Sequence, residues 1–218
     1  MQVLDIKKHC ILLKFLIHFR DGIIHDGLFD VYDKVHMGNC AEETAKEYQI
    51  SREEQDAYAI ESYKRAANAW ELGWFKSEIA PVTVKGKKGD VIVDTDEEYT
   101  NVDFKKVPTL KGAFVKNGIF KLSHFQGTVT AANSSTLNDG ASALVLSTEE
   151  FAELKDVKPI ARILASADAA TVPKLFTIAP SLAIPLALKK ANLSISDIDL
   201  FEINEAFSVV ALANQKVN

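Results

Sequence analysis

The chain has 218 residues, with 25 Lys+Arg against 30 Asp+Glu and a formal charge of −5. A hydrophobic share of 47% and a charged share of 25% exclude disorder as the dominant state, and the mild acidity argues against a nucleic-acid partner bound through its phosphates. Cys10 and Cys40 cannot build a disulfide framework, and no Cys/His spacing suggests zinc, so a reducing compartment is the natural setting.

The longest apolar run, residues 10–19, is interrupted by Lys14 and His18. It is about half of the roughly 20 residues a spanning helix needs, so no membrane span is predicted. Residues 1–20 carry Lys7, Lys8, Lys14 and Arg20 against Asp5 alone. They read as a targeting peptide, or as a buried strand or helix, or as a non-native start. No small-residue cleavage site follows, which disfavours a secretory signal.

Asp-Gly pairs at 21–22 and 26–27 are turn signals. A short polar helix is predicted over 41–48. A better specified helix begins after Ser51, which forms a capping box with Glu54. Ile60, Tyr63, Ala67 and Trp70 recur at spacings of three and four and predict its buried face, and Gly73 is placed to end it at C′. Alternation over 79–85, the turn GKKGD at 86–90 and Val91-Ile92-Val93 predict a hairpin. Residues 94–126 show no period, and so long a loop points to function or disorder.

The small, polar stretch GTVTAANSSTLNDG at 127–140 leads to a predicted buried strand at 143–146 and a short helix opened by Ser147 with Glu150. From 157 onward the pattern reads strand (160–164), helix (181–191, with Pro185 expected to kink it), strand (199–203) and helix from Glu205. That is α/β alternation. Val209, Leu212 and Ala213 form an apolar stripe with no later segment to cover it, so the chain reads as cut off.

Three places carry candidate chemistry. NEAF at 204–207 sits where a strand meets a helix, the position at which open α/β sheets gather ligands. Asn204 there either holds a water or a substrate oxygen, or caps the helix, and local pattern favours the cap. The stretch 128–140 is either a pocket wall with free carbonyls for a ligand or hard cation, or a solvent loop. His36-Met37-Gly38 is better read as packed core than as a base or ligand. Lys85, Lys87 and Lys88 read as a solvated hairpin tip, and Cys40 as an ordinary loop thiol with no base at a diagnostic spacing.

Taken together the motifs are more specific. DGLFDVYDKVHMGNCAEETAKEY (26–48), SREEQDAYAIESYKRAANAWELGWF (51–75), EIAPVTV (78–84), DEEYTNVDFKKVPTLKGAFVKNG (96–118), GTVTAANSSTLNDGASALVLS (127–147), ADAATVPKLFTIAP (167–180) and EINEAFSVVALAN (202–214) resemble the thiolase family, and within it the potassium-activated mitochondrial members. The resemblance implies a partial thiolase fold, αβαβα layers with a loop domain. Residues 1–25 would be an unmatched leader and 26–126 the loop domain, with 119–126 an apparent insertion. Residues 127–156 would return to the N-terminal core domain, and 157–218 would begin the C-terminal core domain.

It also implies acetyl-CoA C-acetyltransfer, in which two acetyl-CoA give acetoacetyl-CoA and CoA, within fatty-acid, ketone-body and isoleucine metabolism. A cysteine thiolate takes the acyl group, and a bound water and a histidine steady the enolate. Coenzyme A enters as substrate, a potassium ion is possible, the family is homotetrameric, and the location is mitochondrial, with cytoplasmic as the alternative.

By the same resemblance Asn204 matches the oxyanion-hole asparagine. Ala206, Phe207, Leu28, His36 and Met37 match the pantetheine tunnel, and Ser135 matches a coenzyme A contact. Tyr63, Val102, Asp103 and Lys106 match contacts around the nucleotide. Tyr63, Ala131, Ala132 and Ser134 match the cation site, with Ser134 in place of an Ala. Phe176 matches a residue associated with 2-methyl-branched substrates. Asn101 stands where the family often has Arg, and Thr177 where it has Pro. The family's nucleophilic cysteine, its GHP histidine and its second catalytic cysteine have no counterpart here, and neither Cys10 nor Cys40 matches them. An unmatched leader, an insertion and an abrupt stop are what a misread exon structure would produce. The expectation is therefore a fragment with much of the acyl-CoA wall and no activity of its own. The alternative is a non-catalytic, coenzyme A-binding or oligomer-interfering thiolase-like protein.

Overall fold

The computed structural model describes residues 21–114 and 127–217. The leader 1–20, with Cys10, and the apparent insertion 119–126 lie outside the described residues. A single π-helical turn, Ile23–Gly27, leads into a short antiparallel pair, β1 (Phe29–Asp30) and β2 (Val35–His36). Helix α1 (Met37–Glu47) follows directly, four residues earlier than its polarity pattern suggested. The reason lies in its cap: the imidazole of His36 takes the place usually held by Ser, Thr, Asp or Asn.

Helix α2 (Arg52–Glu71) has both halves of the predicted capping box. Ser51 Oγ accepts from the Glu54 N–H, and Glu54 Oε2 accepts from the Ser51 N–H at 2.6 Å. The Ser51 backbone N–H holds the Glu54 carboxyl below its ordinary pKa. Gly73 closes the helix in the left-handed region (φ +70°). The N–H groups of Trp74 and Gly73 return to the carbonyls of Ala69 and Trp70, a Schellman arrangement. The predicted stripe of Ile60, Tyr63, Ala67 and Trp70 is only half-buried, whereas the deepest positions of α2 are Gln55, Asp56, Ala59 and Ala69. Trp70 lies against Tyr99 and Phe75 instead of entering the core.

Strands β3 (Val82–Val84) and β4 (Val91–Val93) form the expected hairpin. Val82 pairs with Val93 and Val84 with Val91, and both strands are exposed. Irregular backbone follows, punctuated by 3-10 turns at Glu98–Thr100 and Val107–Thr109. Helix α3 (Glu149–Leu154) is capped by Thr148, not Ser147, because its hydroxyl is the one that accepts from the Phe151 N–H. A 3-10 stretch, Pro173–Ile178, runs into α4 (Ala179–Ala191), which continues as one helix through Pro185. Helix α5 is Ser208–Val217.

The three strands predicted at 143–146, 160–164 and 199–203 are absent as ladders among the described residues. A strand exists only by exchanging hydrogen bonds with a neighbour, and no described segment pairs with these. Leu144 and Val145 are 89% and 98% exposed, so the expected buried strand is an extended, solvated segment.

The core lies where α1, α5, the 3-10 stretch and Val129 meet. Ala41 and Ala45 of α1 are buried with Val209, Val210 and Ala213 of α5, together with Ile50, Ile178 and Phe207. The apolar stripe of α5 is therefore covered: Val209 and Ala213 are both fully buried. Segments earlier in the chain cover it, which sequence order could not show. Alanines on both helices let the backbones approach, and Lys216 of α5 reaches the carbonyls of Tyr48 and Gln49 just past the end of α1.

Replacing Ala213 by Leu puts extra methylenes into this contact. The expected cost is about 1–3 kcal/mol in a urea-unfolding experiment.

Candidate functional site

A short ladder joins two distant parts of the chain. The Ser135 N–H donates to the Ala206 carbonyl, and the Ser208 N–H donates to the Asn133 carbonyl, both at 2.9 Å, with Ser134 bridged to Phe207. Asn204 does not cap the helix that follows. Helix α5 starts at Ser208, and Asn204 is exposed on the wall of a cleft.

That cleft has a volume of about 420 Å³. It gathers Tyr63, Ala132, Ser134, Ser135 and Asn204 from the expected set, and adds Tyr58, Ser62, Glu98, Glu202 and Glu205. Ala131 is exposed and does not line it. Glu205 ties the cleft together. One carboxylate oxygen accepts from the Tyr58 hydroxyl at 2.7 Å, and the other accepts from the Ser62 hydroxyl at 2.6 Å. Tyr58 and Ser62 stand one helical turn apart on α2, so one carboxylate can take both. Burial, and then the Glu205 carboxylate, push the Tyr58 phenol far above its usual pKa. Burial, and then the charge of Glu98, also raise that of Tyr63, whose hydroxyl donates to Glu98 at 3.3 Å.

A second group forms behind the ladder. The Met37 N–H donates to the Leu28 carbonyl at 2.9 Å. His36 stacks on Phe114 with centroids 4.8 Å apart, and Phe114 meets Phe207 edge-on at 6.5 Å. Met37 and Ala206 pack on the same core. The chain thus brings Leu28, His36, Met37, Ala206 and Phe207 into one neighbourhood.

Three expected nucleotide contacts lie outside the cleft. Val102 is half-buried, while Asp103 and Lys106 are exposed and paired with each other at 3.1 Å, between the two 3-10 turns. The hydrogen bond from Lys106 holds the Asp103 carboxyl below its ordinary pKa. Phe176 is half-buried in the 3-10 stretch beside the buried Thr177 and does not line the cleft.

The walls are held by a buried polar network. Asn133, 2% exposed, donates to Asp56 at 2.9 Å and to the Thr128 carbonyl at 3.0 Å, and accepts from the Thr130 N–H at 2.7 Å. Asp56 is paired with Arg52 at 2.7 Å, and Arg52 also donates to the carbonyls of Val107 and Leu110. No local sequence signal marks Tyr58, Ser62, Glu205 or Asn133. The residues that bond across the cleft are separated by 143 and 147 positions.

The fold is that of a thiolase, and the chain belongs to the thiolase family: the thiolase N-terminal domain matches residues 17–150 and the thiolase C-terminal domain residues 157–218. Among similar proteins, the mitochondrial acetyl-CoA acetyltransferase of Mus musculus is 56% identical over 202 residues, 92% of this chain and 46% of that protein. The corresponding protein of Bos taurus is 54% identical over the same shares. A thiolase from Ascaris suum solved in complex with coenzyme A superposes with a TM-score of 0.82 at 45% identity, covering 92% of this chain and 49% of that one. The acetyl-CoA acetyltransferase of Bacillus anthracis gives 0.83 at 39% identity, covering 93% and 50%. The chain therefore spans about half the length of the relatives it matches.

Asn133→Ala leaves Asp56 Oδ1, the Thr130 N–H and the Thr128 carbonyl short of a partner. The expected loss is about 2–3 kcal/mol in chemical denaturation.

Proposed function

We propose that this chain carries the acyl-CoA wall and the oxyanion-hole asparagine of an acetyl-CoA C-acetyltransferase. The observation that supports this most strongly is the ladder of 133–135 with 206–208, which sets Ser135 and Asn204 on one cleft. In the proposed reading Ser135 contacts the pantetheine arm of coenzyme A, and Leu28, His36, Met37, Ala206 and Phe207 line its path. The Asn204 amide, through a bound water, steadies the oxygen of the thioester enolate as charge builds there. The domain limits at 26, 127 and 157, the nucleotide contacts of Val102, Asp103 and Lys106, and the role of Phe176 toward branched substrates belong to the same proposal.

The covalent step needs a thiolate. Among the described residues Cys40 is the one cysteine, and it is buried. Burial, and then the carboxylates of Asp30 and Asp33, push its thiol up to about 11. At pH 8 about one molecule in a thousand then carries the thiolate, too little for a nucleophile. Acyl transfer in this reading therefore relies on a sulfur that Cys40 does not supply.

A potassium ion fits part of the cleft. Tyr63, Ala132 and Ser134 line it, and hydroxyl and carbonyl oxygens suit an alkali cation. Such an ion would supply positive charge beside Glu98 and stiffen the segment around 130–135. Homotetramer formation is proposed from the family resemblance, and the exposed apolar hairpin β3–β4 supports association of some kind. A mitochondrial location is proposed from the names of the relatives.

Calorimetry on the purified 218-residue chain is expected to show coenzyme A binding. Ser135→Ala should weaken it about 5-fold, the value of one hydrogen bond of about 1 kcal/mol. Asn204→Ala should leave it within about 2-fold, since its amide serves charge that develops only during reaction. The same chain should cleave no acetoacetyl-CoA above a protein-free control. Turnover, or rapid alkylation of Cys40 by iodoacetamide at pH 8, would overturn the account of the missing thiolate.

A further inference from the structure

The first turn of α1 depends on an imidazole. His36 has the extended backbone of an N-cap residue (φ −72°, ψ 147°), and its Nδ1 lies 3.0 Å from the backbone N of Gly38. A backbone N–H only donates, so Nδ1 must be the unprotonated nitrogen, and the neutral ring carries its proton on Nε2. The ring is held at Nδ1 and on one face, and both contacts are backed by its neighbours. Its backbone pairs with Phe29 across β1 and β2. Its face lies on Phe114, with the planes 27° apart. Phe114 is in turn wedged edge-on against Phe207. Gly38 makes the stack possible, because a Cβ at that position would overlap the Phe114 ring.

We infer that His36 is a positioning residue of the proposed acyl-CoA wall: as a single neutral tautomer it caps α1 and seats Phe114 against Phe207, and a proton gained at Nδ1 breaks the cap. The bearing on ligand binding rests on the acyl-CoA reading of the preceding subsection. The tautomer and the cap do not.

The physical cost of protonation is twofold. The Gly38 N–H loses its acceptor, and a positive charge arrives at the positive end of the helix dipole. The first turn of α1 has no acidic residue to offset it. Charged groups on the surrounding elements are Asp30 on β1, Asp33 and Lys34 in the turn to β2, and Glu42, Glu43, Lys46 and Glu47 on α1. Lys111 lies on the segment bearing Phe114, Lys174 on the 3-10 stretch packed against α1, and Glu205 near Phe207. Burial, and none of these charges, holds the imidazole below its ordinary pKa. The unfolded chain therefore binds the proton more readily than the folded one. The stability carried by the buried neutral ring is complete above about pH 6.5, and is lost as the pH falls through that value toward the lower folded one.

Long-range proton–nitrogen spectra of the full chain at pH 8 should show His36 with Nδ1 bare and Nε2 protonated. The opposite tautomer overturns the inference. Thermal melts followed by circular dichroism between pH 8 and pH 5 supply the second readout. His36→Asn caps without titrating but gives up the stack on Phe114, so its Tm at pH 8 should fall between those of the wild type and His36→Ala, and it should lose less on acidification. His36→Ala should melt about 2–4 °C lower at pH 8. An Asn variant that follows the wild-type acid curve removes the cap as the proton-sensitive contact and overturns the inference.

Coenzyme A calorimetry reads the functional half. His36→Ala should weaken binding at least about 3-fold, and His36→Asn, which keeps the cap without the stack, should recover only part of the loss. Wild-type binding left unchanged by His36→Ala overturns the positioning role. A wild-type chain that binds no coenzyme A overturns the acyl-CoA reading and with it the functional half, while the tautomer and cap are decided by the spectra and the melts.

Discussion

Asp56 is a carboxylate taken almost wholly out of water, and much of the cleft is built around answering its charge. It is 5% exposed, beside Arg52 on one side and Asn133 on the other. Removing such a charge from water costs several kcal/mol unless each oxygen is matched by a donor, and here each oxygen is. The partners lie far apart in the chain. Arg52 pins the carbonyls of Val107 and Leu110 to α2. Asn133 pins the turn 128–133 and, through its own carbonyl, receives the first N–H of α5. One ion pair thus sets the distance between α2, the irregular segment before it reaches Gly112, and the ladder that presents Ser135 and Asn204.

The same logic recurs wherever irregular backbone is buried. Glu42 of α1 accepts from the N–H groups of Thr128 and Val129 and from the Thr128 hydroxyl. Asn214 of α5 donates to the carbonyls of Thr177 and Val210 and accepts from the Ser181 N–H. Thr44 and Thr177 share a hydrogen bond of 2.6 Å between hydroxyls. Backbone outside helices and ladders cannot satisfy itself, so side chains from the helices must do it. The result is a small apolar core bordered by polar clamps, with the cleft on the side where Glu205 takes two hydroxyls from α2.

Local signals were legible where the physics is local. Ser51 with Glu54, Gly73 and the hairpin about residues 86–90 depend on neighbours within a few positions, and each formed as expected. The start of α1 was missed because histidine is a rare cap whose role needs a neutral ring. The predicted strands at 143–146, 160–164 and 199–203 carry the right residues for sheet, but pairing is a property of two segments. The stripe on α5 looked bare because its cover, Ala41 and Ala45, lies far back in the chain.

The thiolase pattern itself, and through it the candidates Asn204, Ser135, His36 and Met37, lay in the motifs alone, because each motif is a contiguous run whose chemistry is read in order. Only the tertiary structure decided that Asn204 faces a cleft instead of capping a helix, that Tyr58 and Ser62 hold Glu205, and that Asn133 reaches Asp56. Those facts depend on which distant donors and acceptors meet once water is excluded, and hydrogen-bond partners so far apart in the chain leave no mark in local spacing.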